Sequence, residues 1–170
     1  MTAIVPGTGI VVSAANAETL SLPIGSMKLF AEGPDTSGHF SALRATLNPG
    51  VDGARPHHHS KASELFFVIS GAVDILVGEA VVTVSAGDLA VVAPMSMHAF
   101  ANASKTDPAD ILIVFGPGID RFDYFRLLKN VVEGKAQYAE VLASQERFDN
   151  WFGDSPTWTA HRNPTASPRP

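Results

Sequence analysis

Five residues near the middle of the chain have side chains that could bind a metal ion or move a proton. The segment "ARPHHHSKASELFFVISG" contains His57, His58, His59 and Glu64, and His98 follows after several apolar segments. Side chains alternate between the two faces of a strand, so His57 and His59 share one face and His58 points the other way. Three imidazoles and one carboxylate suit a divalent first-row metal ion, provided that the fold brings His98 beside the others.

The same residues are also compatible with a protein that binds no metal. A histidine run can be a solvated loop or a purification tag. Glu64 could lie at an exposed strand end and pair with Lys61. His98 could be a hydrogen-bonded core residue.

The composition is that of one globular domain. Of the 170 residues, 45% are hydrophobic and 17% are charged, and the net charge is −5. Lys and Arg are scattered, which argues against a nucleic-acid partner. The chain has no cysteine, so a metal site must use nitrogen and oxygen ligands. No apolar run is long enough to span a bilayer, and the first residues lack the positive region of a signal peptide. We therefore expect a cytoplasmic protein with no membrane partner.

The elements that must position these residues are short strands followed by helices. Runs rich in Val, Ile and Phe, separated by turn residues, predict a sandwich or barrel. The predicted strands are 27–31, 38–50, 64–70, 72–78, 81–88, 89–93, 97–103 and 110–118. After residue 118 the apolar period becomes helical, which predicts helices over 119–134 and 136–152.

We divide the chain accordingly into four parts. They are an N-terminal arm over 1–19, a barrel over 20–118, helices packed on the barrel over 119–152 and a tail over 153–170. The absence of an internal repeat indicates one barrel rather than two. The helices could close a pocket or contact a second subunit, and we expect a homodimer because open sheet edges need covering.

The histidines and the glutamate resemble the first motif of the cupin family. His57-x-His59, four residues, Glu64, six residues and Gly71 fit that motif, although its leading glycine has no counterpart at the expected position.

The second cupin motif also has a counterpart. Gly87, His98 and Asn102 keep its spacing, but the turn between them departs from the pattern, since Pro94 is displaced by one residue and the turn glycine is lost. The resemblance implies an all-β fold, a single cupin double-stranded β-helix (jelly-roll) barrel with a short C-terminal helical extension. It also implies that His57, His59, Glu64 and His98 bind one divalent ion of Fe, Mn, Co, Ni, Cu or Zn.

A narrower resemblance concerns the segment "FGPGIDRFDYFRLL", which leaves the last strand for a helix. It is similar to bacterial quercetinase-like monocupins, which are metal-dependent 2,3-dioxygenases of flavonols. That resemblance implies a dioxygenase acting on a small aromatic or polyphenolic substrate with dioxygen. It also implies that Glu64 is a catalytic base that takes the proton of a substrate hydroxyl.

Two other functions use the same fold. One is a non-redox metal cupin (an isomerase, lyase, decarboxylase or polyketide cyclase) in which the metal acts as a Lewis acid. The other is a non-catalytic cupin that binds a small molecule.

Some further residues have two possible roles. Arg44 could bind an anionic substrate group or be an outward charge on a half-exposed strand, and Asn102 is expected to be structural. Four apolar residues could line a substrate pocket or pack in the core: Phe66, Met97, Phe100 and Phe115.

Overall fold

Strands make up most of the regular structure in the computed structural model, which describes residues 3–5 and 9–163. In chain order the elements are β1 (Ala3–Val5), β2 (Gly9–Val11), β3 (Glu18–Leu22), β4 (Gly25–Ala31), β5 (Ser41–Leu47), β6 (Asp52–His58), β7 (Ser63–Ser70), β8 (Ala72–Val77), β9 (Ala80–Ser85), β10 (Leu89–Val92), β11 (His98–Asn102), β12 (Ala109–Gly116), α1 (Phe122–Val132), α2 (Tyr138–Ala143), β13 (Trp151–Phe152) and α3 (Pro156–Arg162). The eight predicted strands match β4, β5 and β7 to β12 to within three residues at each end.

Two antiparallel sheets form the barrel. One has the strand order β10-β7-β12-β5-β4-β3, and the other has the order β13-β6-β11-β8-β9. The strands β1 and β2 pair separately with each other. This arrangement confirms the predicted all-β jelly-roll fold with a short C-terminal helical extension. In the part of the chain that the structure describes, no helix is both long enough and apolar enough to cross a membrane.

The apolar core lies between the two sheets, and the strand β7 places the carboxylate of Glu64 inside it. Along β7, Glu64, Phe66 and Val68 are buried, whereas Phe67 and Ile69 are exposed. The period of two therefore places Glu64 on the same inward face as two apolar side chains. Burial of each apolar side chain contributes about 1.5–3 kcal/mol, which fixes the register of β7 and with it the direction of Glu64.

The second predicted helix, over 136–152, is wrong beyond its first part. The helix α2 ends at Ala143, and the chain then turns back toward the barrel so that β13 pairs with β6. Asp149 has a positive φ of 47°, and its carboxylate accepts the backbone N–H groups of Ser60 and Lys61. These long-range hydrogen bonds outweigh the helical pattern of the local sequence.

The segment predicted as a tail, 153–170, contains the helix α3. Ser155 caps this helix, because its Oγ accepts the backbone N–H of Trp158 at 3.1 Å. Trp158 is buried and packs against a group that includes Leu76 on the second sheet. Trp158 attaches the helix to the barrel together with the pair of His161 with Asp74 and the hydrogen bonds that Arg162 donates to Asp52 and Gly50. Residues 164–170 of the predicted tail lie outside the described residues.

Candidate metal centre and adjoining cavity

The four predicted metal ligands converge inside the barrel. One ligand atom from each of His57, His59, Glu64 and His98 lies within 4.8 Å of all the others. His57 and His98 are opposite each other on the neighbouring strands β6 and β11. Glu64 comes from β7 of the other sheet, and His59 lies in the connection from β6 to β7. All four are at most 4% exposed. The cluster could hold a metal ion, and the role of each residue as a ligand stays a prediction.

Backbone carbonyls fix the tautomer of each imidazole. Every one of the three Nδ1 atoms lies at hydrogen-bond distance from a carbonyl oxygen, which can only accept, so Nδ1 carries the hydrogen. The pairs are His57 with Arg55 at 2.8 Å, His59 with Asp149 at 2.5 Å and His98 with Ser96 at 2.9 Å. Each neutral ring therefore directs the lone pair of its Nε2 into the cluster.

The lone pairs meet the carboxylate of Glu64. Its Oε2 lies 3.9 Å from Nε2 of His57, 2.9 Å from that of His59 and 2.7 Å from that of His98. A neutral imidazole with Nδ1–H offers only an acceptor at Nε2, and an ionised carboxylate offers only acceptors. Four acceptors this close require a cation between them, either a shared proton or a metal ion. The donor set therefore fits a divalent first-row metal ion.

The protonation states at neutral pH are those that metal binding needs. Burial lowers the pKa of His57 well below its ordinary value and also lowers the pKa of His59. Burial alone would raise the pKa of Glu64. In the metal-free site, a proton shared between its Oε2 and Nε2 of His59 or His98 outweighs that effect and holds the pKa of Glu64 well below its usual range. Because metal ligands must be deprotonated, these directions favour a metal ion.

The sequence analysis missed Arg121, a buried cation beside the cluster. Arg121 is 3% exposed, and its Nη1 lies 3.1 Å from Nε2 of His59. Its Nη2 donates to Oδ1 of Asn150 at 2.8 Å. The guanidinium also lies over the ring of Phe115, 4.6 Å from the ring centroid. One signal could have found it: Arg121 lies four residues before Phe125, on the apolar face of the predicted helix.

A cavity of about 180 Å³ adjoins the cluster. His57, Glu64 and Arg121 contribute polar groups to its lining, and most of the remaining lining is apolar. Phe100 and Phe115 line it, as predicted. The C-terminal extension closes part of the cavity through side chains of α1, α2 and β13.

The other two predicted pocket residues lie away from this cavity. Phe66 has 0% exposure and packs against Phe100 in the core between the sheets. Met97 packs with Trp158 and Leu76 in a separate apolar cluster under α3. Met97 directly precedes the inward-facing His98, so strand alternation places it on the opposite face of the sheet.

Three further polar residues that the sequence analysis considered lie outside the cluster: Asn102, Arg44 and His58. Asn102 donates from Nδ2 to the carbonyl oxygen of Asp107 at 2.8 Å, and its Oδ1 accepts the N–H of Ser104. Arg44 donates from Nε to both carboxylate oxygens of Asp110, at 2.8 and 2.9 Å, on the outer face of the first sheet. Of the two roles considered for Arg44, the structure thus supports the outward charge on a half-exposed strand and not the substrate contact. His58 is half-buried, away from the cluster.

Comparison with known proteins agrees with this geometry. Residues 43–115 match the family model described as a cupin domain. The barrel has the cupin fold. The match of residues 43–115 supports a place in the cupin superfamily, and the solved structures share the fold. No curated protein sequence matches the chain.

Three solved structures illustrate the likeness in fold. An RmlC-like cupin from Shewanella frigidimarina NCIMB 400 has a TM-score of 0.54 at 18% identity, over 66% of this chain and 93% of that one. The oxalate decarboxylase of Lactobacillus farciminis has a TM-score of 0.53 at 20% identity, over 62% of this chain and 32% of that one. Streptomyces Pac13 with uridine, a nucleoside dehydratase, has a TM-score of 0.53 at 14% identity, over 65% of this chain and 84% of that one.

Proposed function

We propose that this cupin is a metal-dependent enzyme acting on a small, largely apolar substrate. One observation carries the proposal: three Nε2 lone pairs and the Glu64 carboxylate converge beside a cavity, with only acceptors facing each other. His57, His59, Glu64 and His98 would hold one divalent first-row ion. When bound, the ion would act as a Lewis acid that lowers the pKa of a coordinated hydroxyl, and a redox-active ion would also permit reaction with dioxygen.

Glu64 is proposed as the base that takes the proton of a substrate hydroxyl. Its carboxylate lines the cavity and is ionised at neutral pH. In this step the O–H bond of the substrate breaks, and a new O–H bond forms at a carboxylate oxygen of Glu64. The low pKa of Glu64 means that only an acidified hydroxyl would transfer its proton to this group.

The proposed reaction is a dioxygenation of an aromatic or polyphenolic, flavonol-like compound. The aromatic lining supports this substrate class, because rings prefer edge-to-face and offset contacts with other rings. Six Phe and Tyr side chains line the cavity: Phe100, Phe115, Tyr124, Phe125, Tyr138 and Phe152.

A non-redox reaction is the second candidate, and Arg121 is the observation that favours it. A buried guanidinium beside the ligand cluster can stabilise an oxyanion that forms without any change in oxidation state. Isomerase, lyase, decarboxylase and cyclase reactions that pass through an enolate would all use such a group.

Oxygen uptake by the metal-loaded protein tests the proposal. With a panel of flavonols and simpler polyphenols, we expect uptake that stops in Glu64→Gln and persists in Glu79→Gln, a matched control at an exposed turn. Turnover of a panel compound under strict anaerobiosis would favour the non-redox candidate. Binding without turnover of any compound would leave a non-catalytic cupin. A Glu64→Gln variant as active as the wild type would contradict the role of Glu64 as a base.

We also propose a homodimer that pairs through the outer face of β7 and β10. The support is a group of exposed apolar side chains at this sheet edge: Phe67 (38%), Ile69 (42%), Leu89 (56%) and Val91 (57%). The strand β10 is also the last strand of this sheet. Its backbone edge could therefore hydrogen-bond to a second copy beside the apolar contact of the outer faces. Light scattering should give twice the chain mass for the wild type and a lower mass for Leu89→Lys. A monomeric wild type would contradict this assembly.

A further inference from the structure

We propose that Arg121 binds a carboxylate group of the substrate, so that this site takes small apolar or aromatic carboxylates. The inference rests on the proposed function only in taking the cavity as the substrate site. It adds a charge requirement that the metal ligands do not supply.

The first observation is a buried charge without an ion pair. Arg121 is 3% exposed, and no carboxylate of the described residues pairs with it. Arginine stays protonated in proteins, and burial of an unpaired charge is costly. The rings of Phe115, Tyr124 and Phe125 lie 4.6, 5.1 and 5.5 Å from the guanidinium carbon and offset part of this cost. The carboxylates of Glu64 and Asp149 attract the guanidinium without contacting it. A bound anion would pair with it directly.

The second observation is an excess of donors. A guanidinium has five N–H groups, and the described residues supply acceptors at His59 and Asn150 only. The Nε atom of Arg121 is buried and has no acceptor among them. Because buried donors are nearly always paired with protein, water or a ligand, this N–H needs an acceptor from outside the described residues, and a bound ligand would supply one.

The third observation is that one of the two acceptors is shared with the proposed metal ion. Nη1 of Arg121 lies 3.1 Å from Nε2 of His59, and that lone pair is the one that a metal ion would take. Metal binding would therefore leave Nη1 without its acceptor as well. Arg121 lines the cavity, which is where a substrate would bind. A carboxylate accepts two parallel N–H groups of a guanidinium, which makes it the best-matched anion.

Calorimetric titration with benzoate and with its neutral isostere benzamide tests this subsite. Titrations use the metal-loaded and the metal-free protein, in the wild type and in Arg121→Met, Arg121→Lys and Arg126→Met. Arg126 lies on the same helix but is exposed and pairs with Glu18, so its variant is the matched control. The metal content of every variant is measured in parallel.

We expect the wild type and Arg126→Met to prefer benzoate over benzamide by roughly 10- to 100-fold, the range for charge-assisted hydrogen bonds. Arg121→Met should lose this preference while it keeps its metal. Arg121→Lys, which keeps the charge without the planar fork, should retain part of it and serves as the test if Arg121→Met does not fold.

Two results separate failure of this inference from failure of the proposed function. If the wild type binds metal but does not prefer benzoate, or if Arg121→Met keeps the preference, the carboxylate subsite is wrong and the metal centre stands. If no metal binds but the metal-free protein prefers benzoate through Arg121, the subsite stands and the metal-dependent function is wrong.

Discussion

Two of the three clustered imidazoles are positioned by their own strands, whereas the third is positioned from the C-terminal extension. His57 and His98 each hydrogen-bond to a carbonyl two residues earlier in the chain. His59 instead hydrogen-bonds to the carbonyl of Asp149, 90 residues further on, and its other nitrogen lies beside Arg121. The barrel therefore builds one half of the site by itself, and the extension completes the other half.

This difference indicates that the two halves of the site have different roles. The strand-borne half, with Glu64, supplies the convergent lone pairs that fit a cation. The extension contributes Arg121 and much of the aromatic cavity wall, which are the groups that a substrate would contact. Changes to the barrel half should thus affect metal binding most, and changes to the extension should affect His59 and the ligand.

The largest effect is expected from His98→Ala, in the barrel half. Removal of a ligand should weaken metal affinity by more than the roughly 10- to 100-fold that loss of an outer hydrogen-bond partner costs. Competition with a chromogenic chelator measures this affinity. His161→Ala is the control, because His161 pairs with Asp74 away from the cluster. Equal metal affinity in His98→Ala and the wild type would remove His98 from the ligand set.

The next effect is expected from Asp149→Asn, in the extension. The carboxylate accepts the N–H groups of Ser60 and Lys61, and a side-chain amide has only one oxygen to replace two. The free energy of unfolding should fall by about 1–3 kcal/mol. Metal affinity should fall by roughly 10- to 100-fold, because the same residue orients His59.

Chemical denaturation and the chelator competition measure the two effects of Asp149→Asn. Asp123→Asn is the control, since Asp123 lies on α1 and pairs only with exposed arginines. A destabilised Asp149→Asn variant with unchanged metal affinity would show that the extension does not position His59.

The sequence predicts the barrel half of the site far better than the extension. Strand alternation and the spacing of His57, His59 and Glu64 are local properties, and His98 occupies the matching position in a second motif. The register of β6 and β11 then brings His98 opposite His57. The expected convergence therefore follows from short-range patterns.

The extension could not be predicted in the same way, because its structure depends on contacts distant in sequence. The helical period over 136–152 continues past Ala143, but the hydrogen bonds of Asp149 to the barrel end the helix. Arg121 lies on the apolar face of the predicted helix, which indicates burial, but its contact with His59, 62 residues away, has no local sequence signal. Trp158 likewise gives no local sign that it anchors a helix.

Acidification should destabilise the metal-free protein in two stages, the first through two histidines and the second through two carboxylates. The folded-state pKa of His57 and of His59 lies below the ordinary 6.5, so the unfolded chain binds more protons as the pH falls below about 6.5. Stability then decreases. The pKa values of Glu64, below 4.5, and of Asp149, lowered to about 2, extend the loss below about pH 4.5.

Urea denaturation at pH 7.5, 5.5 and 4.0 measures these two stages. Asp149→Asn should flatten mainly the more acidic stage, because it removes one of the two carboxylates whose pKa is lowered in the folded state. A wild type that becomes more stable between pH 7.5 and 5.5 would contradict the lowered pKa values of the two histidines.

The smallest effect on the site is expected from Arg44→Gln, outside both halves. Arg44 pairs with Asp110 on the outer face of the first sheet, and the side chain of Asp110 is only 10% exposed. Loss of this partner should lower the free energy of unfolding by about 1–3 kcal/mol. Metal affinity and the preference for benzoate should equal those of the wild type. A lost preference for benzoate would place the anion site at Arg44 rather than at Arg121.

Metal stoichiometry of the folded wild type tests the central claim most directly. The chain is dialysed against each divalent ion from Mn to Zn, and the bound metal is measured by mass spectrometry beside the His57→Ala/His98→Ala double variant. Convergent lone pairs around Glu64 predict about one ion per wild-type chain and none in the double variant. A folded wild type that binds no ion from this series, or a double variant that binds as much, would contradict a metal centre at this cluster.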